Sequence, residues 1–68
     1  MKFDFIQNEI DIINKSARFT DRQQEIFNRL TDKHGRQKVV KIAMEMYLSE
    51  RTVAREIRKI KNKIYKIL

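Results

Sequence analysis

Arg51, Arg55 and Arg58 stand four and three residues apart, so a helix through them carries three guanidinium groups on one side. Asn62 continues the row four residues later. With Val53 as the inward reference, all four fall within about 40° of the opposite side at helical periodicity. Guanidinium is planar, permanently charged and forked, which suits phosphate oxygens and the edges of guanine. Just ahead of the row, Ser49 can cap a helix whose first amides have no acceptor, an arrangement that also suits phosphate. Ala54 lies beside the arginines, small enough to allow close approach or to touch a thymine methyl.

These groups bind and do not react. The sequence offers no nucleophile–base pair, carboxylate pair or glycine-rich phosphate loop, so enzymatic activity is not expected. There is no cysteine, and the one histidine, His34, has no partners with which to hold a metal. Neither a metal, a cofactor nor a small-molecule ligand is expected. Charge placement points the same way. Residues 1–34 carry six lysines and arginines against six acids, whereas residues 35–68 carry ten against three, the source of the whole net charge of +7. A neutral first half and a basic second half suit a folded body with one face for a polyanion; the alternative is a solvated basic helix that binds nothing. No apolar run reaches the ~18 residues of a membrane span and no signal-peptide pattern opens the chain, so a cytoplasmic protein is expected.

The elements that must position the arginines are helical, since strong helix formers dominate and breakers are nearly absent. Phe3, Ile6, Ile10 and Ile13 form one stripe of a first helix, with Phe5 and Ile12 on the far side. That second apolar side suits a second partner, or is simply exposed. Thr20 and Gln23 form a capping box for a second helix that buries Ile26, Phe27 and Leu30. "DKHG" ends it, with His34 in the last turn and Gly35 in the left-handed exit. A third helix from about Gln37 is apolar nearly all round (Val39, Val40, Ile42, Ala43, Met44, Met46), as suits the centre of a small core. "MYLS" then makes a corner. Ser49 caps a fourth helix that runs from Glu50 almost to the end, with Val53, Ile57, Ile60, Ile64 and Ile67 facing inward.

A short helix, a turn of three or four residues and a second helix describe a helix-turn-helix. Its core positions are Ile42, Ala43, Met46, Leu48, Val53 and Ile57. Ala43 is the small residue that lets the two helices cross closely, Leu48 plugs the turn, and Val53 is the inward residue of the second helix.

"FTDRQQEIFNRL" followed by "IAMEMYLSERTVAREIRKIKNKI" resembles the DNA-binding domain of LuxR/GerE-type regulators. It is also similar to region 4 of bacterial sigma factors and to small sigma-like phage transcription regulators. The matching positions are Phe19, Thr20, Asp21 and Arg22 at the opening, Ile42 and Ala43, then Ser49, Thr52 and Val53, and later Ile57, Ile60, Lys63 and Ile64. The match spans Phe19 to Ile64. The resemblance implies that residues 50–62 form a recognition helix for the major groove, with Ser49, Glu50, Arg51, Thr52, Ala54, Arg55, Arg58 and Lys38 as the DNA-contacting set. Three positions depart from the pattern. Tyr47 stands where glycine with positive φ is usual, which implies a reshaped turn or a strained tyrosine. Ala54 replaces a common lysine, and Glu56 a common histidine.

The fold expected is therefore all-α: a single four-helix domain over residues 1–68, built around a helix-turn-helix. Its long C-terminal helix packs against an extra N-terminal helix (residues 1–18) that takes the place of a regulator's sensor domain. The function expected is sequence-specific binding of double-stranded DNA by a small bacterial or phage transcription regulator, acting at the nucleoid or in host cytoplasm. A homodimer is expected through Phe5, Ile12, Tyr65 or Leu68, since one small module binds modestly and a dimer reads two half-sites. The alternative is a small protein that binds RNA polymerase or a sigma factor and redirects it.

Overall fold

A computed structural model describes residues 3–32 and 37–68 of the chain. These residues form four helices: α1 (Gln7–Ser16), α2 (Asp21–Thr31), α3 (Val39–Glu45) and α4 (Glu50–Tyr65). The domain is all-α, as expected, and its longest helix is the C-terminal one. Among the described residues no helix is long and apolar enough to cross a membrane. The expected places of His34 and Gly35 lie outside the described residues.

The core is one cluster. Ile13 of α1, Ile26, Phe27 and Leu30 of α2, Ile42 and Ala43 of α3, and Val53, Ile60 and Ile64 of α4 are buried together. Helix α4 packs most extensively on α2 and α3. Each fully buried large aliphatic or aromatic side chain stabilises the fold by about 1.5–3 kcal/mol relative to exposure.

Phe27 is the hub. Its ring lies 5.3 Å from Phe19, 6.3 Å from Phe3 and 6.4 Å from Phe5, centroid to centroid. Two expectations are corrected here. Phe3 is not part of the first helix, and Phe5 is not a free outward residue available for a dimer. Helix α1 begins only at Gln7, with Ile6 as its extended N-cap and the Glu9 carboxylate accepting from the Ile6 amide at 3.0 Å. Outside the helix, residues two apart in an extended run face the same way, which lets both phenyl rings reach Phe27. Ile6 consequently faces away and is 64% exposed. Of the anticipated stripe, Ile13 is buried and Ile10 half-buried, so α1 closes the core near its C-terminal end rather than along its whole length.

The N-terminus of α2 forms as its residues dictate. Thr20 Oγ1 accepts from the Gln23 amide and Gln23 Oε1 from the Thr20 amide, each at 3.2 Å. At the other end, Thr31 is the last helical residue and Asp32 departs in an extended conformation. Helix α3 starts at Val39, two residues later than expected, with Lys38 as N-cap. Gln37 instead joins a polar cluster. Arg29 Nη1 donates to Glu45 Oε1 at 2.6 Å and to Gln37 Oε1 at 3.2 Å, while Gln37 Nε2 donates to the same Glu45 oxygen at 3.0 Å. These bonds hold the Glu45 carboxyl below its ordinary value, Arg29 contributing most and Gln37 next. The cluster ties the end of α2 to the end of α3.

A third correction concerns α3. Val40 and Met44 are not core residues; they are 53% and 74% exposed. Seven residues make two turns, and the buried side is already filled by Ile42 and Ala43, with Val39 and Met46 at its edges. Val40 and Met44 fall opposite Ile42 at helical periodicity, on the side of α3 that the described core does not use.

Candidate nucleic-acid interface

The corner between α3 and α4 sets how the arginine row is presented. Met46 is the C-cap of α3, and Tyr47 follows with φ 56, the only non-glycine residue with positive φ among those described. The Leu48 amide donates to the Ala43 carbonyl at 2.9 Å, and the Tyr47 amide to that of Met44 at 3.4 Å. That pair of bonds is a Schellman motif, with Tyr47 in the place glycine normally takes. Tyr47 thus takes the left-handed conformation itself and carries the strain that glycine would avoid. Leu48 reaches the core edge, as a plug should, and Ala43 is buried at 4% exposure.

The reversal lands on Ser49. Its hydroxyl oxygen accepts from the Thr52 amide at 3.1 Å, and its proton goes to Thr52 Oγ1 at 2.9 Å. Ser49 and Thr52 are therefore engaged with each other, and the amides of Glu50 and Arg51, at the opening of the helix, are left without a capping side chain. Glu50 is exposed and places a carboxylate in the first turn, where the helix dipole favours it.

From there α4 divides into two sides. Val53, Ile60 and Ile64 are fully buried, and Ile57 is half-buried against them. Arg51, Ala54, Arg55, Arg58 and Asn62 are all exposed. Arg51, Arg55 and Arg58 form no ion pair with the other described residues, so their charge is not spent inside the domain. At a rise of about 1.5 Å per residue, the row from Arg51 to Asn62 extends roughly 16 Å along the helix. Lys38 is exposed at the N-cap of α3, on a different element from the row. The six residues expected as the core of the α3–α4 corner divide as well: Ile42, Ala43 and Val53 are buried, whereas Met46, Leu48 and Ile57 line the edge.

Two features of α4 were not foreseen. Glu56 is 8% exposed, with Lys59 Nζ at 3.4 Å from its Oε1. Lys63 turns inward: its Nζ donates to the Arg18 carbonyl and to Gln23 Oε1, both at 2.6 Å, and sits 5.8 Å above the Phe19 ring. One ammonium thus clasps the α1–α2 linker, the start of α2 and the end of α4. Gln23, 3% exposed, is the receiving group. Lys63 is therefore a structural lysine, while Lys59 and Lys66 are exposed.

Of the remaining expected partner residues, Ile12, Tyr65 and Leu68 are 47%, 61% and 58% exposed. They lie on α1, at the last turn of α4 and at the chain end.

The arrangement is a helix, packed by its apolar side and opened by the α3–α4 corner, whose exposed arginines form no ion pair among the described residues. No protein-family model matches the chain, and neither a curated protein nor a solved structure is significantly similar to it.

Proposed function

We propose that this protein reads double-stranded DNA sequence-specifically, as a small bacterial or phage transcription regulator of helix-turn-helix type, with α4 in the major groove. The observation that carries this reading is the exposed row of Arg51, Arg55 and Arg58, free of internal ion pairs, on a helix anchored by Val53, Ile60 and Ile64. An α-helix fits the major groove, and arginine binds guanine O6 and N7 bidentately. Lys38 supplies a phosphate contact that fixes register without reading sequence. The likeness to LuxR/GerE-type domains and sigma region 4 supports the same assignment, and a dimer through Ile12, Tyr65 or Leu68 would pair two half-sites.

The test separates base reading from backbone contact. Arg55→Ala and Arg58→Ala each weaken binding to the preferred sequence by about 1–3 kcal/mol and relax selectivity at one position. Lys38→Ala weakens binding to every sequence alike and lowers the salt slope by about one. Undiminished selectivity in a variant lacking all three arginines would remove α4 as the reading helix.

A second reading, a protein that engages RNA polymerase or a sigma factor, is favoured by one observation: the exposed apolar side of α3 at Val40 and Met44.

A further inference from the structure

The fourth member of the arginine row is not an arginine. Asn62 follows Arg58 by one turn of α4 and is exposed. At helical periodicity it stands about 180° from Val53, directly opposite the buried side. Its amide makes no hydrogen bond to the other described residues. Helix α4 runs on to Tyr65 and is capped by Lys66, so Asn62 caps nothing. Asparagine is also a poorer helix former than lysine or arginine, and at this exposed helical position it brings the fold no local gain.

The neighbouring side chains indicate what an amide adds here. The other exposed positions from 58 to 66 are Arg58, Lys59, Tyr65 and Lys66, three of them cations. Attraction to phosphate is what a cation supplies, and an uncharged amide contributes little to it. What the amide has and guanidinium lacks is a carbonyl acceptor beside an NH2 donor. In the major groove guanine presents two acceptors, which arginine matches, whereas adenine presents the N7 acceptor beside the N6 donor, which asparagine matches. The row therefore changes its hydrogen-bonding pattern at one position, from two donors to a donor and an acceptor.

We infer that Asn62 selects adenine, so that the preferred duplex carries an adenine beyond the guanines met by Arg55 and Arg58. The inference rests on the proposal that α4 reads the major groove, and it names the base that the last member of the row adds. The rise from Arg58 to Asn62 is about 6 Å, close to two base-pair steps of roughly 3.4 Å. The adenine then stands about two base pairs from the Arg58 guanine, on the side away from the Arg55 contact.

Selection from a pool of randomised duplexes tests this, run with wild type, Asn62→Ala, Asn62→Arg, Arg55→Ala and Arg58→Ala. The expected wild-type consensus holds guanines that Arg55→Ala and Arg58→Ala cease to select, followed by an adenine that they still select and Asn62→Ala does not. Asn62→Ala weakens binding to that consensus about fivefold or more and leaves affinity for duplexes lacking the adenine unchanged. Its thermal midpoint is kept or raised, alanine being the better helix former. Asn62→Arg selects guanine at the same position. Placing 7-deazaadenine there keeps the base pair and removes only the N7 acceptor; it weakens binding by the wild type and not by Asn62→Ala.

An Asn62→Ala consensus identical to that of the wild type, with those of Arg55→Ala and Arg58→Ala altered, would overturn the inference and leave α4 as the reading helix. An equal loss by Asn62→Ala on every duplex would make Asn62 a backbone contact and overturn it likewise. A wild type that selects no sequence would remove the reading of DNA by α4, and the inference with it.

Discussion

Replacing Tyr47 by glycine should make this protein more stable, although it removes an aromatic ring. Tyr47 is 95% exposed, so deleting its side chain forfeits almost no burial. Its φ of 56 lies in the left-handed region, where a residue with a Cβ carries about 1–2 kcal/mol of strain. Glycine avoids that cost but loses about 0.5–1 kcal/mol more conformational entropy on folding. The net expectation is a gain of roughly 0.5–1 kcal/mol. For a domain of this size 1 kcal/mol moves Tm by about 4–8 °C, so Tyr47→Gly should melt about 2–8 °C higher. Thermal unfolding followed by far-ultraviolet circular dichroism measures this directly. Tyr47→Ala is the control, because alanine removes the ring but keeps the Cβ and therefore the strain. A Tyr47→Gly melting temperature at or below the wild-type value would refute the reasoning, as would an equal gain in Tyr47→Ala.

Three further perturbations probe the framework that holds the arginine row. Ala43→Leu should lower Tm by several degrees, since overpacking a buried site typically costs about 1–3 kcal/mol; an unchanged midpoint would mean the α3–α4 crossing is looser than its 4% exposure implies. Lys63→Met should destabilise by about 1–2 kcal/mol in denaturant unfolding, because the Arg18 carbonyl and Gln23 Oε1 lose a charged donor, while leaving selectivity between DNA sequences unchanged. Glu45 predicts a pH dependence. Its folded carboxyl lies below the ordinary 4.5, so the Arg29–Gln37–Glu45 cluster contributes stability fully above that value and loses it as pH falls through the lower folded value. The stability difference between wild type and Glu45→Gln should therefore be constant near neutrality and shrink below about pH 4.5; a difference independent of pH would contradict it.

Much of this geometry was legible in the residues. The 4-3-4 spacing of Val53, Ile57, Ile60 and Ile64 marked the inward side of α4, although Ile67, expected to continue it, falls beyond the helix end and is half-buried; once that side was known the exposure of Arg51, Arg55 and Arg58 followed from helical periodicity. Ser49 and the Thr20–Gln23 pair marked helix starts because capping is a local, two-residue interaction. The misreadings share a physical origin in competition between elements. Phe3 and Ile6 fit a helical stripe, but an extended N-terminus places two phenylalanines on Phe27 and sacrifices Ile6 to solvent. Val40 and Met44 look like core by composition, yet a helix of seven residues has only one side to bury. Lys63 reads as one more surface cation, since its partners Arg18 and Gln23 lie more than forty positions away for the first and forty for the second. Spacing alone does not reveal such long-range polar contacts. Similarly, Phe5 looked available for a dimer because its place depends on tertiary packing.

The central claim is that the arginine row on α4 reads DNA, and a salt-dependent titration tests it most directly. Wild-type protein and a variant with Arg51, Arg55 and Arg58 all replaced by alanine are titrated against random duplex DNA and a genomic-fragment pool at two salt concentrations. Sedimentation is run alongside. The account predicts a steep salt slope and enrichment of particular fragments by the wild type, with enrichment lost and the slope reduced in the variant. Dyad symmetry in the enriched fragments would report a dimer. A weak, flat response from the wild type, or enrichment that survives removal of all three arginines, would contradict it.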